Sequence, residues 1–290
     1  MAPEREATGV RVTNRAGGVD AAAALRRWVS GRVTGPRDAG WERAQQAWNR
    51  LVDQAPAAVV EVASVADVRA TVRIAADLGA SVTMQPRGHG ATAALRGTIL
   101  LRPGRLSGFA IDSRRRVARV EPGVRWFQLN AALAGTELTG LPGSTGDVAV
   151  IPYHLGGGLS WFGRRHGLAA NRVCAAEVVT PEGAWARVTD EDDPDLFWAL
   201  RGGGGDFGVV TALEVELVPM SRLVGGRLAW SIEHVEAVLT AFAEAAAVAP
   251  DELAVWAGLL NLPDVDTVPE PLRGRVTVTG DLTCLGDSAP

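Results

Sequence analysis

Three glycine-rich segments, separated by long stretches of ordinary sequence, most constrain what this chain can fold into. They lie at residues 85–90, 140–158 and 201–208. Glycine lacks a Cβ, so its backbone adopts positive φ and lets N–H groups approach an anion closely. Successive N–H groups in such turns form an anion-binding nest. Each segment alone is compatible with a tight turn, whereas three in one chain indicate a cofactor that carries a diphosphate.

Strand–helix alternation surrounds these segments, which is typical of an α/β domain. Ser64 is expected to cap a helix at 65–79 that ends at Gly79. The other helices are expected at 21–30, 41–54, 126–133, 194–200 and 235–249. Strands are expected at 58–62, 81–85, 98–101, 117–120, 175–180, 184–188, 209–217, 226–232, 252–262 and 275–282. A change in composition near Pro219 predicts a domain boundary there.

Composition and charge exclude several classes of partner. The formal net charge is -4, which gives no reason to expect nucleic acid or an anionic membrane. Two distant cysteines, Cys174 and Cys284, form neither a disulfide framework nor a metal site, and Cys174 is expected in the core. Residues 1–27 have no apolar region typical of a signal peptide, and no run approaches the ~18 apolar residues of a membrane helix. These features predict a cytoplasmic protein with no nucleic-acid or membrane partner.

The third glycine segment imitates a dinucleotide-binding fingerprint without its context. Gly203, Gly205 and Gly208 satisfy G-x-G-x-x-G, but the real fingerprint follows a strand and opens a helix. Here a helix is expected before the segment and a strand after it, so a nicotinamide site is excluded. The chain also has no G-x-S-x-G elbow and no G-x-x-x-x-G-K-[ST] loop. Its four histidines lack metal-ligand spacing, so no metal is expected.

His89 lies between two glycines, two residues after Arg87. A lone histidine is more often structural or exposed. Flanking glycines, however, would let the imidazole approach an electrophile closely, and a neighbouring arginine can hold a phosphate oxygen by charge-assisted hydrogen bonds.

The order of these motifs resembles one family. Arg87-Gly88-His89-Gly90, Gly143-Ser144, Leu155-Gly156-Gly157-Gly158, 175–183 and 195–211 occur as in the bacterial berberine-bridge-enzyme-like FAD-linked oxidases. The resemblance covers about Trp48 to Leu217 and is most specific in 195–211. It continues only weakly beyond that stretch.

The resemblance implies an α+β fold. A two-subdomain α/β FAD-binding domain of the p-cresol methylhydroxylase and vanillyl-alcohol oxidase type would be followed by a partial antiparallel-sheet substrate domain. The expected divisions are a helical lead-in at 1–54, the FAD domain at 55–219 (subdomains 55–112 and 113–219) and the substrate domain at 220–290.

The resemblance also implies a set of FAD-binding residues. His89 would be joined to the 8α carbon of the flavin, and the glycine segments would hold the flavin and the diphosphate. Many relatives have a second link through a cysteine where this chain has Thr145, so at most one covalent link is expected. Tyr153 is a candidate substrate contact, with packing as the favoured alternative. The FAD-binding residues implied are Arg87, Gly88, His89, Gly90, Ala91, Thr92, Gly143, Ser144, Thr145, Asp147, Val148, Leu155, Gly156, Gly157, Gly158, Val179, Gly208 and Val210.

The chemistry implied is removal of hydride from a small organic substrate to flavin N5, with O₂ as the electron acceptor. Family members continue well beyond this chain, and their catalytic base usually comes from that part, so no base is assigned. We therefore expect a truncated chain whose strand at 275–282 is left as a sheet edge. The alternative is a non-catalytic FAD-binding fragment. An NAD(P)H-dependent reductase of the same superfamily is disfavoured, because such reductases lack a flavin-linking histidine in the first loop.

Overall fold

A computed structural model of the chain describes residues 20–220 and 222–286 and confirms the α+β class. The helices α1 (Ala21–Leu25), α2 (Trp41–Gln45) and α3 (Val65–Leu78) accompany a first sheet. That sheet has the strand order β1-β2-β4-β3, in which β2, β4 and β3 are parallel and β1 is antiparallel to β2. Its strands are β1 (Arg32–Thr34), β2 (Ala58–Glu61), β3 (Val82–Met84) and β4 (Ile99–Arg102).

Helix α3 shows how local sequence makes these elements. Ser64 caps it by accepting a hydrogen bond from the Asp67 N–H, and Gly79 ends it with φ 65°. Val68, Val72 and Ala75 form one buried stripe that packs with the apolar residues of β2 and β4. The helix thus covers the parallel strands, and the carboxyl end of β3 leads directly into the first glycine segment.

A second, fully antiparallel sheet has the order β5-β6-β10-β8-β9. Strands β7 and β11 pair separately. The strands are β5 (Phe109–Asp112), β6 (Val117–Val120), β7 (Leu138–Thr139), β8 (Val173–Val179), β9 (Trp185–Val188), β10 (Val209–Glu216) and β11 (Val218–Pro219). The helices are α4 (Trp126–Leu133), α5 (Val150–Leu155), α6 (Gly163–His166) and α7 (Pro194–Leu200).

The first two sheets share a core at one end. Val179 and Val209, at the paired ends of β8 and β10, lie in the same apolar cluster as Val60 and Leu101 of the first sheet. The first and third glycine segments, which follow β3 and precede β10, therefore lie near the junction of the two sheets.

The last sheet corrects the expectation that residues 275–282 form an edge. It contains β12 (Leu223–Ser231), β13 (Leu253–Asn261) and β14 (Val276–Leu285) in the order β12-β14-β13, with α8 (Val235–Val248) packed on it. The strand formed by this segment, β14, is therefore central. Each neighbour pairs with it over nine residues, which satisfies its backbone on both sides.

Two other expectations are wrong. The helix expected at 41–54, with Trp41, Ala44, Trp48 and Leu51 on one face, ends at Gln45, and Gln46 has extended backbone. The N–H of Trp48 donates instead to the Arg87 carbonyl oxygen (2.8 Å), because pairing with the first glycine segment replaces the helical bond.

Cys174 is exposed rather than buried in the core. It lies on β8, where side chains alternate between two faces, and its neighbours Val173 and Ala175 take the buried face. The domain divisions at 54 and 219 remain predictions.

We predict that Asp67→Asn destabilises the fold by about 2–3 kcal/mol, because an amide would present N–H groups to buried donors. The Asp67 carboxylate accepts hydrogen bonds from Ser30 N–H and Oγ–H, Gly31 N–H and Ala63 N–H at 2.8–2.9 Å. Burial alone would raise the pKa of Asp67, but these bonds, led by that from Ala63, outweigh it and lower the pKa. Urea unfolding followed by tryptophan fluorescence measures the change.

The matched control is Asp77→Asn, on the exposed side of the same helix. If Asp67→Asn lost no more stability than the control, the hydrogen bonds accepted by Asp67 would not stabilise the fold as predicted.

Candidate functional site

The first glycine segment is held against the stretch that precedes β2. Gly88 has φ 88°, and a Cβ added there would lie 2.9 Å from the Cβ of Ala47. The N–H groups of Trp48 and Asn49 donate to the carbonyl oxygens of Arg87 and Gly88 at 2.8 and 3.3 Å. Glycine is thus required at 88 both for its backbone conformation and for this close approach.

Arg102, at the end of β4, binds both of the segments that meet in this contact. Its guanidinium donates to the backbone and side-chain oxygens of Gln85 at 3.0 and 2.9 Å, and to the carbonyl oxygen of Gln46 at 2.8 Å. Bonds to the carbonyls of Ala44 and Gln45 complete the set. Partial burial lowers the pKa of Arg102, yet its hydrogen bonds keep the partly buried charge satisfied.

His89 is positioned from two directions. Its ring stacks on Trp48 with centroids 4.3 Å apart and an interplanar angle of 23°. Its Nε2 lies 4.0 Å from Oδ2 of Asp147, which belongs to the second glycine segment. Burial lowers the pKa of His89, and nearby Arg87 lowers it further, while Asp147 opposes them. The imidazole is therefore mainly neutral near pH 7.

Asp147 joins the first two glycine segments. Its Oδ2 accepts from Arg87 Nη2 at 2.8 Å, and its Oδ1 accepts from Arg125 Nη1 at 2.9 Å. The hydrogen bond from Arg87, followed by that from Arg125, lowers the pKa of Asp147, so this carboxylate is ionised at neutral pH. The guanidinium of Arg125 also lies 4.5 Å over the ring of Phe127.

The second glycine segment lies along the start of α4. The N–H groups of Phe127 and Trp126 donate to the carbonyl oxygens of Gly146 (2.9 Å) and Val148 (3.0 Å). Half-buried Val148 packs on the core of the second sheet. The chain then forms α5, which presents Tyr153 and His154. No helix is expected here from local sequence patterns, since the segment is glycine-rich and has little periodicity.

Tyr153 fills the space between two glycines. Its ring lies where a Cβ at Gly143 or Gly158 would come within 3.0 or 2.7 Å of it. It packs edge-on against Trp126 at 5.6 Å. Burial raises the pKa of Tyr153, and nearby Ser160 opposes that rise, so the phenol stays protonated. These contacts are those of a packing residue, and substrate contact remains a prediction.

The third glycine segment docks onto the second. The N–H of Gly204 donates to the Leu155 carbonyl oxygen at 2.9 Å. The carbonyl oxygens of Gly157 and Gly158 accept from Ala170 and Ala169 at 2.8 and 2.9 Å. Helix α7 precedes this third segment and β10 follows it, so the expected absence of a helix opening there is confirmed.

Gly208, Val179 and Val210 lie together where β8 pairs with β10. A Cβ at Gly208 would come within 2.8 Å of the Val179 carbonyl oxygen. The side chains of both valines are buried, so they can offer a ligand only backbone groups.

The backbone of the first two segments fits a diphosphate. Among the described residues, no hydrogen bond occupies the N–H groups of Gly88, His89, Gly90, Ser144, Thr145 or Gly146. Next to the first group, Ala91 N–H closes a turn onto Gly88, and Thr92 caps the 3₁₀ turn at Ala93–Leu95. Such N–H groups are the donors that phosphate oxygens need. Sequence reasoning missed Trp48, Arg102 and Arg125 here, because no spacing rule links them to residue 89.

Comparison with known proteins identifies the domain. A family model described as an FAD binding domain matches residues 56–189. Residues 56–189 therefore carry an FAD-binding domain, and the chain is similar to FAD-linked oxidases. It is 30% identical over 222 residues to (R)-6-hydroxynicotine oxidase of Paenarthrobacter nicotinovorans, covering 75% of this chain and 48% of that protein.

Two solved structures have the same fold. 6-Hydroxy-D-nicotine oxidase from Arthrobacter nicotinovorans superposes with a TM-score of 0.78 at 28% identity, covering 90% of this chain and 56% of that one. Physcomitrella patens BBE-like 1 superposes with a TM-score of 0.80 at 21% identity, covering 93% and 57%. The chain therefore spans about half the length of the relatives that it matches. Among the described residues, no helix is long and apolar enough to cross a membrane.

We predict that Gly158→Ala destabilises the FAD domain by about 2 kcal/mol or more, since its φ of 74° is strained for alanine and the new Cβ would lie 2.7 Å from Ala169 Cβ and Tyr153 Cε1. The matched control is Gly205→Ala, where a Cβ meets nothing within 4 Å. Thermal unfolding of both variants checks this. Equal melting temperatures would contradict it.

We also predict that His154 makes the fold acid-sensitive. Burial lowers the pKa of His154 to about 4, although its hydrogen bond to the Val150 carbonyl opposes this shift, whereas an unfolded histidine titrates near pH 6.5. Between these values the unfolded chain binds a proton that the folded chain does not. Stability present above pH ~6.5 is therefore lost as the pH falls toward 4, by on the order of 3 kcal/mol.

Urea unfolding at pH 7, 5.5 and 4.5 measures this loss. His154→Phe should reduce the pH dependence, whereas His234→Gln, at an exposed position, should not reduce it. A slope that is the same in all three proteins would show that His154 does not carry the effect.

Proposed function

We propose that this chain binds FAD where its three glycine segments meet and acts as an FAD-dependent oxidoreductase on a small organic substrate. When bound, FAD would accept hydride at flavin N5, with O₂ as the later electron acceptor. The observation that supports this most is that two segments with unoccupied backbone N–H groups are joined by the Arg87–Asp147 ion pair, with His89 beside Asp147. The oxidase relatives do not favour the alternative of a non-catalytic fragment.

The protein's part in binding is electrostatic and geometric. The N–H groups at 88–90 and 144–146 would donate to the diphosphate, while Gly88 and Gly158 let the backbone approach closely. Arg87 and Arg125 outnumber Asp147, so the junction keeps a net positive charge that favours an anion. Val179 and Val210 would contribute backbone groups beside Gly208.

The third sheet would close the substrate side. Its β13 and β14 turn Trp256 and Thr283 toward the FAD domain, because the Thr283 hydroxyl donates to the Trp161 carbonyl oxygen at 3.1 Å and the Trp161 and Trp256 rings lie 4.7 Å apart. Trp161 also packs with Tyr153 around one apolar cluster. The aromatic side chains where the third sheet contacts Trp161 would exclude water from the flavin and hold a small organic molecule.

We further propose that the flavin is linked covalently through His89 alone. The neutral imidazole is stacked, half-buried and flanked by Gly88 and Gly90, and a Cβ at position 90 would meet nothing within 4 Å. These features leave the ring neutral, and therefore nucleophilic, and partly open to an incoming cofactor. Thr145 offers no thiol for a second link.

The test is to purify the chain with FAD, precipitate it in acid and measure flavin absorbance in the pellet, with intact mass as a second readout. We expect one FAD per chain to stay with the wild-type protein. His89→Ala should still bind FAD but release it into the supernatant, and His234→Ala should behave as wild type. A chain that binds no flavin would refute the proposed function, and flavin released by the wild type would refute the link.

A further inference from the structure

We infer that Asp147 is a positioning residue for the link between His89 and the flavin, because it selects the imidazole tautomer whose Nδ1 keeps its lone pair. This inference rests on the proposed function, since it concerns the same histidine and the same cofactor.

The ring of His89 has few orientations available. Trp48 covers one flat face at 4.3 Å, and the backbone of residue 48 is itself bonded to Arg87. In this orientation Nε2 is the nitrogen that approaches Asp147, at 4.0 Å from Oδ2. The two nitrogens lie on different sides of an imidazole, so Nδ1 is directed away from the carboxylate.

The Asp147 carboxylate is fixed in place and does not take up the proton of His89. Two guanidiniums hold it, one on each oxygen, and keep it ionised. An ionised carboxylate is only an acceptor, so the proton of a neutral His89 is favoured on Nε2, where it faces Oδ2. The 4.0 Å separation exceeds a hydrogen bond, and a movement of about 1 Å on cofactor binding would close it.

His154 provides an internal contrast. Its Nδ1 lies 2.7 Å from the Val150 carbonyl oxygen, and a carbonyl only accepts. Neutral His154 is therefore the Nδ1–H tautomer, whose Nδ1 cannot attack an electrophile. The two histidines differ in the acceptor that each one faces.

The assigned tautomer suits the chemistry of the link. A bond would form between Nδ1 and the 8α carbon, which loses one proton, and two electrons would enter the isoalloxazine. Positive charge would build on the ring as Nδ1 is alkylated, and loss of the Nε2 proton would restore a neutral imidazole. Asp147 would stabilise that charge. Reoxidation would pass the two electrons to O₂, giving H₂O₂ with two protons.

The test compares linkage with binding in Asp147→Asn and Asp147→Glu. Flavin-free protein is mixed with FAD, bound flavin is measured from the visible spectrum, and linked flavin is measured after acid precipitation. We expect Asp147→Asn to bind FAD but to form the link at least roughly 10²-fold more slowly, because the proton acceptor that fixes the tautomer is lost. Asp147→Glu should restore most of the rate, and the control Asp77→Asn should match wild type.

A second readout needs no variant at position 147. In flavin-free protein with ¹⁵N-labelled histidine, the NMR shifts should show His89 as the Nε2–H tautomer and His154 as the Nδ1–H tautomer, with assignment by His89→Gln. This measurement decides the inference if Asp147→Asn fails to fold or if the wild type proves unlinked. Nδ1–H at His89 would overturn it, as would linkage at the wild-type rate in Asp147→Asn. An unlinked wild type refutes the covalent proposal separately.

Discussion

The site depends on a single carboxylate shared between two loops that are distant in sequence. Asp147 accepts one hydrogen bond from Arg87 and another from Arg125, and it faces His89. Without it, two guanidiniums and an imidazole would converge with no anion between them, which electrostatics disfavours. The same contact brings two groups of backbone N–H close together. The contacts of Asp147 thus both hold the two loops together and place their free N–H groups where an anion could bind.

Close packing around glycine supports that arrangement. Gly88 lies against Ala47, Gly143 and Gly158 enclose the Tyr153 ring, and Gly208 lies on the β8 backbone. Arg102 adds a partly buried guanidinium that binds both Gln85 of the first glycine segment and Gln46 of the stretch before β2. Close packing therefore restricts the conformations of these loops. This restriction lowers the conformational entropy that the loops would lose when a cofactor binds.

Local sequence patterns predicted those elements whose formation depends on nearby residues, such as caps and turn glycines. The capped helix α3, the helix at 194–200 and the helix-before, strand-after setting of the third glycine segment are confirmed. Tertiary contacts determined the rest. The helix at 41–54 was cut short by pairing with residues 87 and 88, and the central place of β14 depends on a strand order that no local pattern encodes. The Trp48–His89 stack joins two positions that only the fold brings together.

Hydrogen–deuterium exchange of the chain with and without FAD tests most directly the claim that the glycine segments form one cofactor site. The account predicts that exchange slows together at residues 88–90 and 144–146, whose N–H groups have no partner among the described residues, while the solvent-facing side of α8 is unchanged. Unchanged exchange at both glycine segments under saturating FAD, or protection confined to the third sheet, would contradict it.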